Sequence, residues 1–478
     1  MKILLIIVNL TFILTLGFYL ITTLQWFSYK FERVLFHFTK PIWHVVFLII
    51  PLITYAVLNL INPLFFIIYL LVIHLPLLIL WHKKLDKKLV FTPRVKRFFI
   101  LLVIITLFFG FILINKAQIL PIILPLFVAF LISYSYENYN SKLFYKKASL
   151  KLKNMPKLTI IMITASYGKT SIKNFLYQIL SSKFNCQKTP RSVNTLMGLV
   201  KDINENLDPQ TQIYIAEAGA RLKGDIYEIT KFLNPQIVII GEIGEQHIEY
   251  FKSIENIRAT KLEALASLDT KKAFVHSSTN IAKSDKVLIY DSLKDIEASL
   301  DGLKFSLEFC SKDETFYAPI LGKFNALNIA VCIKVAEYLN LSLDEVKNSV
   351  ANLKSVEHRL EKIEAGKKLI IDDSFNGNFK GMSQSYELVS SFEGRKVIVT
   401  PGIVESTKQM NEELGKLINS VFDLVMITGE LNANTLKSVI DQNKVIIIKD
   451  KANLTEILGQ ETRAGDLILF SNDAPNFI

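Results

Sequence analysis

Acidic residues are nearly absent from the first third of this 478-residue chain. Residues 1–157 contain 18 lysines and arginines but only three acids, Glu32, Asp86 and Glu137. The rest of the chain has 37 basic and 41 acidic residues, so the formal net charge of +11 arises entirely in the first third. A nucleic-acid-binding domain would carry a basic face of its own. The sequence therefore predicts no nucleic-acid partner.

Cysteine is scarce as well. The three cysteines, Cys186, Cys310 and Cys332, lie far apart and show no C-x-x-C spacing. Zinc sites and disulfide frameworks need cysteines at short or regular spacings, so neither is expected. We interpret the three as free thiols in a reducing compartment.

Long apolar runs fill the first third instead. Each of five runs has about the 20 residues that a helix needs to cross the hydrocarbon core of a membrane. A cleaved signal peptide is the alternative for the first run, but its apolar stretch is too long for a signal core and further runs follow. The five predicted spans are residues 3–24, 42–60, 63–81, 98–115 and 118–135.

The charges that flank these runs are asymmetric. Basic residues follow the first, third and fifth runs, whereas the other side carries only Lys2 and Lys116. Because positive residues are retained on the cytoplasmic side, this asymmetry predicts an external N-terminus and a cytoplasmic chain from residue 136 onward. We expect a multi-pass protein of the inner membrane, with membrane lipid as a partner and the soluble part in the cytoplasm.

The pattern changes at about residue 158. Apolar segments of strand length now alternate with helical segments, which is typical of parallel sheets in α/β layers. The predicted fold class is α/β, with a transmembrane helical domain over 1–150 and two α/β domains over 151–355 and 356–478. The predicted strands are 158–164, 213–217, 236–240, 273–276, 367–373, 396–400, 424–428, 444–449 and 466–471.

The clearest motif is "IIMITASYGKTSIKNFL", residues 160–176. A strand, a polar turn and a helix start form the context in which Gly-Lys-Thr presents backbone N–H groups to a phosphate. Lys169 would contact the β- and γ-phosphates, and the Thr170 hydroxyl would bind Mg²⁺. A surface turn with a chance Gly-Lys pair is the alternative. The predicted nucleotide-binding residues here are Ala165, Ser166, Tyr167, Gly168, Lys169, Thr170 and Ser171.

Ala165 occupies the position at which this type of loop usually has glycine. The alanine adds only a methyl group, and the strand–turn–helix frame is otherwise intact. If the position requires a positive φ, however, alanine is strained there. The backbone conformation of residue 165 therefore decides how well this loop is formed.

Other polar residues follow predicted strands of the same domain. Glu217 ends a buried strand, the usual place for an acid that supports Mg²⁺ beside a phosphate loop. His247 follows the next strand, at the sheet edge where open α/β sheets bind their ligands. Lys261 lies in the helix after it and by itself would be a solvated lysine. Each of the three also has an ordinary structural explanation when taken alone.

The last domain adds a further polar cluster. Arg359 precedes a strand that ends in Asp372-Asp373, and Asn376 and Asn378 lie in the turn after it. Arg359 would bind a γ-phosphate with two parallel hydrogen bonds, and Asp373 would hold a ribose or that arginine. The alternative is a strand end and a turn whose residues were selected for local geometry.

Six segments together resemble the Mur ligase family of peptidoglycan synthesis, most closely its MurF branch. Their order and spacing hold over residues 158 to about 385, which is far more specific than the phosphate loop alone. The segments are "ITASYGKTS", "KTPRSVNTLMG", "AEAGARLKGDI", "IGEIGEQHIEYFKSIENIRATKLE", "LGKFNALNIAVCI" and "HRLEKIEAGKKLIIDDSFNGNFKGM".

This resemblance implies an ATP- and Mg²⁺-dependent ligase that joins D-alanyl-D-alanine to UDP-N-acetylmuramoyl tripeptide through an acyl phosphate. It implies a P-loop central ATPase domain and a Rossmann-like C-terminal domain, which complete the ATP site when they close. Lys261 matches a position that several members carbamylate, and Asn328 would face the adenine. The implied catalytic residues are Lys169, His247, Lys261 and Arg359, the implied metal-binding residues are Thr170, Glu217, His247 and Lys261, and Arg359 and Asp373 join the nucleotide-binding residues.

The sequence also departs from the family pattern. Arg191 and Ser192 replace a Gly-Asn pair, Thr195 replaces an asparagine and Phe324 replaces a histidine. The five apolar runs stand in the place of the family's soluble domain for the UDP-sugar. The resemblance therefore does not extend to the family's UDP-sugar-binding domain.

Three alternatives stay open. A ligase with the same chemistry would act on a lipid-linked or another carboxylate acceptor. A membrane scaffold would retain the nucleotide fold only to organise other cell-wall synthesis enzymes, although it would not need the charged residues. An ATP-driven transporter is least favoured, because no signature motif couples nucleotide to transport.

Overall fold

The computed structural model describes residues 2–27, 29, 34, 42–85, 88–113, 119–245, 248–375, 377–403 and 406–472. The chain divides into two compact units, Met1–Phe144 and Tyr145–Ile478. The first unit is helical, and the second contains three β-sheets with helices packed on them.

Long apolar helices build the first unit. Four helical stretches of the described chain are long and apolar enough to cross a membrane, in agreement with four of the five predicted spans. The predicted span at 98–115 lies in α4, and its last two residues lie outside the described residues. The helices are α1 (Lys2–Trp26), α2 (Ile42–Ile61), α3 (Pro63–Lys83), α4 (Pro93–Leu113) and α5 (Leu120–Lys153), of which α5 continues past Phe144 into the second unit.

Two histidines inside the first unit are bound to hydroxyl groups. The His74 Nε2 lies 3.0 Å from the Thr15 hydroxyl, and the His44 Nδ1 lies 2.7 Å from the Tyr19 hydroxyl. Buried polar groups need such partners in an apolar interior. These contacts link α1 to the helices that carry the two histidines.

A six-stranded parallel sheet is the centre of the second unit. Its order is β2-β3-β1-β4-β5-β6, and the strand that carries the phosphate-loop motif lies between the strands that end at Glu217 and Ile240. The strands are β1 (Thr159–Thr164), β2 (Cys186–Lys188), β3 (Ile213–Glu217), β4 (Ile237–Ile240), β5 (Lys272–Val275) and β6 (Val287–Ile289).

Helices cover both faces of this sheet. The helix after β1, Lys169–Leu180, packs between the sheet and the long apolar helix Phe324–Tyr338. The helices of this part of the chain are α6 (Lys169–Leu180), α7 (Leu196–Glu205), α8 (Asp225–Leu233), α9 (Ile248–Phe251), α10 (Ile254–Leu262), α11 (Phe324–Tyr338) and α12 (Leu343–Ala351).

A three-stranded antiparallel sheet was not predicted from the sequence. Its strands are β7 (Lys294–Ser299), β8 (Gly302–Phe309) and β9 (Lys312–Ala318). Its central strand alternates buried apolar side chains with exposed ones, which is the period-2 pattern of a half-buried strand. That alternation over residues 303–309 was the available signal.

The C-terminal part is a second six-stranded sheet, of order β10-β11-β15-β12-β13-β14. The strands predicted for this sheet pair in parallel, and the edge strand β10, which was not predicted from the sequence, pairs with β11 in the antiparallel direction. The strands are β10 (Glu361–Ala365), β11 (Lys368–Asp373), β12 (Lys396–Thr400), β13 (Leu424–Thr428), β14 (Val445–Ile448) and β15 (Leu467–Ser471). Its helices are α13 (Phe379–Ser390), α14 (Lys408–Val421), α15 (Ala433–Lys437) and α16 (Leu454–Glu461).

We predict that Phe175→Ala destabilises the second unit by about 3–5 kcal/mol, because a fully buried ring of α6 is lost from the core. Phe175→Leu, which keeps most of the volume, should cost clearly less. Pulse proteolysis in urea suits this measurement. Tryptophan fluorescence does not, since all three tryptophans lie at positions 26, 43 and 81. Equal midpoints for the two variants would contradict the assigned packing.

Candidate functional site at the carboxyl edge of the central sheet

The site begins with the register of three neighbouring strands. Ile163 of β1 pairs with Glu217 of β3, and Thr164 pairs with Ile240 of β4. The loops after these strands therefore leave the same edge of the sheet together. This is the edge at which parallel α/β sheets bind their ligands.

Ala165 fits its position without backbone strain. Its φ is not in the left-handed region, in contrast to that of Gly168, which is +78°. Its methyl group is buried against Gly241, where an added Cβ would lie only 2.8 Å away. Because Gly241, directly after β4, has no side chain, the methyl group of Ala165 fits in the loop.

Gly168 is required for two reasons. A Cβ at this position would lie 2.4 Å from the Asn328 Oδ1, and the positive φ is unfavourable for other residues. Asn328 of α11 is therefore in contact with the loop, and its role beside an adenine stays a prediction.

The loop is fastened to the segment after β4. The Ser166 N–H donates to the Glu242 carbonyl over 2.9 Å, and the Ser166 hydroxyl and the Gly244 backbone exchange two hydrogen bonds of 2.9 and 3.0 Å. The Tyr167 ring lies against Gly244, where a Cβ would come within 2.4 Å. This segment leads directly to position 247.

Lys169 begins α6 and folds back over the loop. Its Nζ donates to the carbonyls of Ala165 and Ser166 over 2.7 and 3.1 Å. Burial lowers the pKa of the Lys169 amine to about 8, the charge of Arg359 lowers it as well, and the charge of Glu217 opposes both. Because burial and a neighbouring cation disfavour the charged form of this lysine, an anion that binds beside it stabilises that form.

Glu217 is the buried acid of the site. One of its carboxylate oxygens accepts from the Thr170 hydroxyl over 3.0 Å and from the Lys173 amine over 3.2 Å, and the other accepts from the Asn194 amide over 3.1 Å. Lys173 also donates to the Arg191 carbonyl. Ser171, the remaining loop residue of the prediction, is buried at the start of α6.

Lys173 was missed by the sequence reasoning. It lies one turn after Lys169 on a side of α6 that is otherwise apolar and is almost completely buried. Burial lowers the pKa of its amine, and the charge of Glu217 opposes that shift. A lysine among the inward positions of an amphipathic helix was the available signal, because such a lysine needs a buried acid as its partner.

Lys261, on α10, lies buried close to these groups. Burial and the neighbouring Lys169 charge lower the pKa of its amine well below the usual value, while Asp225, Glu217 and Glu263 act in the opposite direction. Burial thus favours the uncharged, nucleophilic form of this amine more than water would.

Arg359, just before β10, and Asp373, at the end of β11, join the cluster from the C-terminal part of the chain. Burial lowers the pKa of Arg359, and the charges of Asp373 and Glu217 raise it, so the three groups lie close to one another. The Arg359 guanidinium donates to the Phe375 carbonyl over 2.8 Å. One oxygen of Asp373 accepts from the Ser385 hydroxyl over 2.6 Å.

An ion pair connects the two sheets beside the site. The Lys380 amine, in α13, lies 2.5 Å from a carboxylate oxygen of Glu242, whose backbone holds the phosphate loop. The pair is partly exposed, so its contribution to stability is small. It nevertheless links the C-terminal sheet to the segment that follows β4.

Two predicted residues cannot be placed. His247 and Asn376 lie outside the described residues. Over the described ranges, no group of three or more histidine, cysteine or acidic side chains is arranged to hold a metal ion. The structure thus brings together the phosphate loop, Glu217, Lys261, Asn328, Arg359 and Asp373, and leaves the metal role of position 247 a prediction.

Comparison with protein families gives two matches. Residues 163–336 match the Mur ligase middle domain, and residues 358–472 match the Mur ligase glutamate ligase domain. Together the two matches cover more than half of the chain and contain every predicted site residue.

Characterised relatives are mostly UDP-N-acetylmuramoyl-tripeptide--D-alanyl-D-alanine ligases. The protein of this name from Bacillus subtilis is 27% identical over 332 residues, which are 65% of this chain and 72% of that protein. The one from Escherichia coli is 24% identical over 52% of this chain and 58% of that protein.

Solved structures give the same result. MurF ligase from Thermotoga maritima, in complex with ADP, has a TM-score of 0.60 at 26% identity, over 70% of this chain and 80% of that chain. A MurF structure from Acinetobacter baumannii has a TM-score of 0.63 at 21% identity, over 70% of this chain and 78% of that chain, and supports the fold. On the matched domains, the assembled site and the shared fold, the chain belongs to the Mur ligase family.

Proposed function

We propose that the protein is an ATP-dependent amide-bond ligase of the MurF type, which joins D-alanyl-D-alanine to UDP-N-acetylmuramoyl tripeptide. The observation that carries this proposal is the meeting of charges from two sheets. Lys169, Glu217 and Lys261 of the central part lie with Arg359 and Asp373 of the C-terminal part. A phosphoryl transfer between two anions needs such a set of cations and oxygen ligands around it.

ATP would bind across the phosphate loop. The backbone N–H groups at the start of α6 and the Lys169 amine would hold its phosphates, and Asn328 would lie beside the adenine. Arg359 would contact the γ-phosphate with its guanidinium, and Asp373 would hold either the ribose or Arg359 itself. The 2.8 Å bond from Arg359 to Phe375 keeps the guanidinium on the C-terminal part of the site.

The residues present fit Mg²⁺. The Thr170 hydroxyl and the Glu217 carboxylate lie 3.0 Å apart, and both are oxygen ligands of the type that Mg²⁺ prefers. Bound Mg²⁺ would neutralise the charge of the phosphates and of the substrate carboxylate. The Lys261 amine, whose pKa burial lowers, would add to carbon dioxide with loss of a proton, which gives a carbamate, and His247 would complete the ligands.

The reaction consists of two displacements. A carboxylate oxygen of the tripeptide attacks the γ-phosphorus, and the bond from that phosphorus to the β–γ bridging oxygen breaks. ADP departs, and the tripeptide now carries an acyl phosphate. The amine of D-alanyl-D-alanine then attacks the acyl carbon, and inorganic phosphate leaves as the amine loses a proton. Lys169 and Arg359 would stabilise the negative charge that spreads over the transferred phosphoryl group.

The first unit would hold the ligase at the inner membrane, with its catalytic part in the cytoplasm. In this proposal the membrane domain ends at about residue 150, and the central and C-terminal ligase domains meet at about residue 355. A lipid-linked muropeptide is the second candidate acceptor, favoured by the four helices that are long and apolar enough to cross a membrane. Other cell-wall synthesis enzymes are candidate partners at that surface.

We predict that Lys169→Ala abolishes D-alanyl-D-alanine-dependent phosphate release, because the γ-phosphate loses its main cation. Lys437→Ala, a change of an exposed lysine in α15, should leave the rate unchanged. The assay contains the full chain, ATP, Mg²⁺, UDP-muramoyl tripeptide and D-alanyl-D-alanine. An unchanged rate in Lys169→Ala would refute the assigned ATP site.

We predict that nucleotide affinity falls as the pH rises above about 8. The Lys169 amine of the free protein has a pKa of about 8, and only its charged form attracts phosphate. One proton is involved, so the dissociation constant of ATP should rise by at most about tenfold per pH unit. Titration calorimetry from pH 7 to 9.5 measures this change.

Lys169→Arg is the control for this pH dependence. Its guanidinium stays charged throughout the range, so its profile should be flat even if its affinity is lower. The same slope in both proteins would show that another group titrates.

A further inference from the structure

Three cationic residues lie in loops that adjoin Glu217, and their side chains have no protein partner among the residues that the structure describes. Arg191 lies in the loop after β2, and Arg221 and Lys223 lie in the loop after β3. We call these three residues the cationic rim. All are exposed, and within the described ranges none of the three side chains makes a hydrogen bond or an ion pair.

The two loops of the cationic rim adjoin each other. The Gly219 N–H donates to the Asn194 carbonyl over 2.8 Å, and a Cβ at Gly219 would lie 2.7 Å from the Asn194 side chain. Asn194 in turn donates to the Glu217 carboxylate. The cations are therefore held on loops that are bonded to the buried acid of the site.

Arg191 is held in a conformation that disfavours a side chain. Its φ is +45°, in the left-handed region that glycine adopts at no cost. Its carbonyl accepts from Lys173, which also binds Glu217, so the backbone of the loop is fixed to the site. A large cationic residue kept in such a conformation points to a functional role.

The loop of Arg221 and Lys223 is also fixed through its backbone. The Arg221 N–H donates to an Asp225 carboxylate oxygen over 2.9 Å, and the Gly224 N–H donates to the Glu263 carboxylate over 2.9 and 3.1 Å. The backbone is held while the charged ends stay exposed. Such an arrangement suits the recognition of an anion.

We propose that the cationic rim binds a carboxylate of the acceptor peptide other than the one that reacts, with Arg191 as the main contact. This inference rests on the proposed function, because the reacting carboxylate must lie beside Glu217. The tripeptide in the name of an Acinetobacter relative, alanyl-D-glutamyl-2,6-diaminopimelate, carries such additional carboxylates. Arginine matches a carboxylate with two parallel hydrogen bonds.

Distance favours the peptide over the diphosphate of the acceptor. The two loops of the cationic rim adjoin Glu217, beside which the reacting carboxylate would lie. Three extended residues span about 10 Å, and the sugar lies beyond them, so the diphosphate is further from Glu217 than a neighbouring carboxylate. The same rim would therefore serve nucleotide-linked and lipid-linked acceptors alike.

The test compares wild type with Arg191→Gly in the full chain. Glycine suits the observed φ, so the variant should fold, and Arg191→Lys keeps the charge. We expect Arg191→Gly to weaken direct binding of UDP-muramoyl tripeptide, measured by titration calorimetry, by about 10- to 100-fold, the usual worth of a charge-assisted bond. Arg191→Lys should lose less, and the affinity for ADP should not change in either variant.

A second acceptor isolates the carboxylate. A tripeptide with its non-reacting carboxylates converted to amides should bind wild type as weakly as the native acceptor binds Arg191→Gly, and the variant should lose nothing more. An Arg191→Gly loss that persists with the amidated acceptor would overturn the proposal in favour of the diphosphate. Undetectable binding of the native acceptor to wild type would overturn it as well.

Turnover separates this proposal from the proposed function. Arg191→Gly should raise the KM for the acceptor and leave the KM for ATP unchanged, with equal effects for nucleotide-linked and lipid-linked acceptors. If wild type binds the acceptor through Arg191 but forms no amide bond, the ligase activity is refuted and the role of the cationic rim in binding is retained. If Arg191→Gly leaves ligation unaffected, the role of the cationic rim in acceptor binding is refuted and the ligase activity is retained. Lys437→Gln serves as the charge control.

Discussion

The buried carboxylate of Glu217 is the constraint on which the site depends. A carboxylate removed from water is costly unless every oxygen finds donors. Here the donors come from Thr170, Lys173 and Asn194, which lie on the phosphate-loop helix and in the loop after β2. Because one acid ties these segments together, the positions of the phosphate loop and of the neighbouring loops are coupled, and the loss of any donor would disturb all of them.

The second feature is an excess of cations around that acid. The charge of Lys169 lies close enough to influence Lys261, and that of Arg359 close enough to influence Lys169, and burial lowers the pKa of all three groups. Such a cluster is unfavourable by itself and becomes favourable when phosphates and a carboxylate enter it. The C-terminal part of the chain supplies Arg359 and, through Lys380 of α13, an ion pair with Glu242. The two sheets therefore meet where the reaction needs positive charge, which links nucleotide binding to the contact between them.

Much of this site could be predicted from the sequence, because strand ends in a parallel sheet meet at one edge. The pattern of apolar strands predicted that Glu217 and Asp373 lie at strand ends. The Gly168-Lys169-Thr170 sequence predicted the phosphate loop. Other features could not be predicted. Whether Ala165 was strained depended on its φ and on Gly241 at the end of β4, which only the three-dimensional arrangement reveals. The β7–β9 sheet was missed because its strands form no part of the repeating strand–helix pattern, and the role of Lys173 depends on a partner 44 residues away.

The transfer of an oxygen atom tests the central claim most directly. The account holds that the terminal carboxylate of the acceptor is activated as an acyl phosphate. UDP-muramoyl tripeptide labelled with ¹⁸O in that carboxylate is incubated with ATP, Mg²⁺, D-alanyl-D-alanine and the full chain, and the inorganic phosphate is analysed by mass spectrometry. The account predicts one ¹⁸O atom in each phosphate that is released with the ligated product. Product with unlabelled phosphate, or with AMP and pyrophosphate, would contradict it.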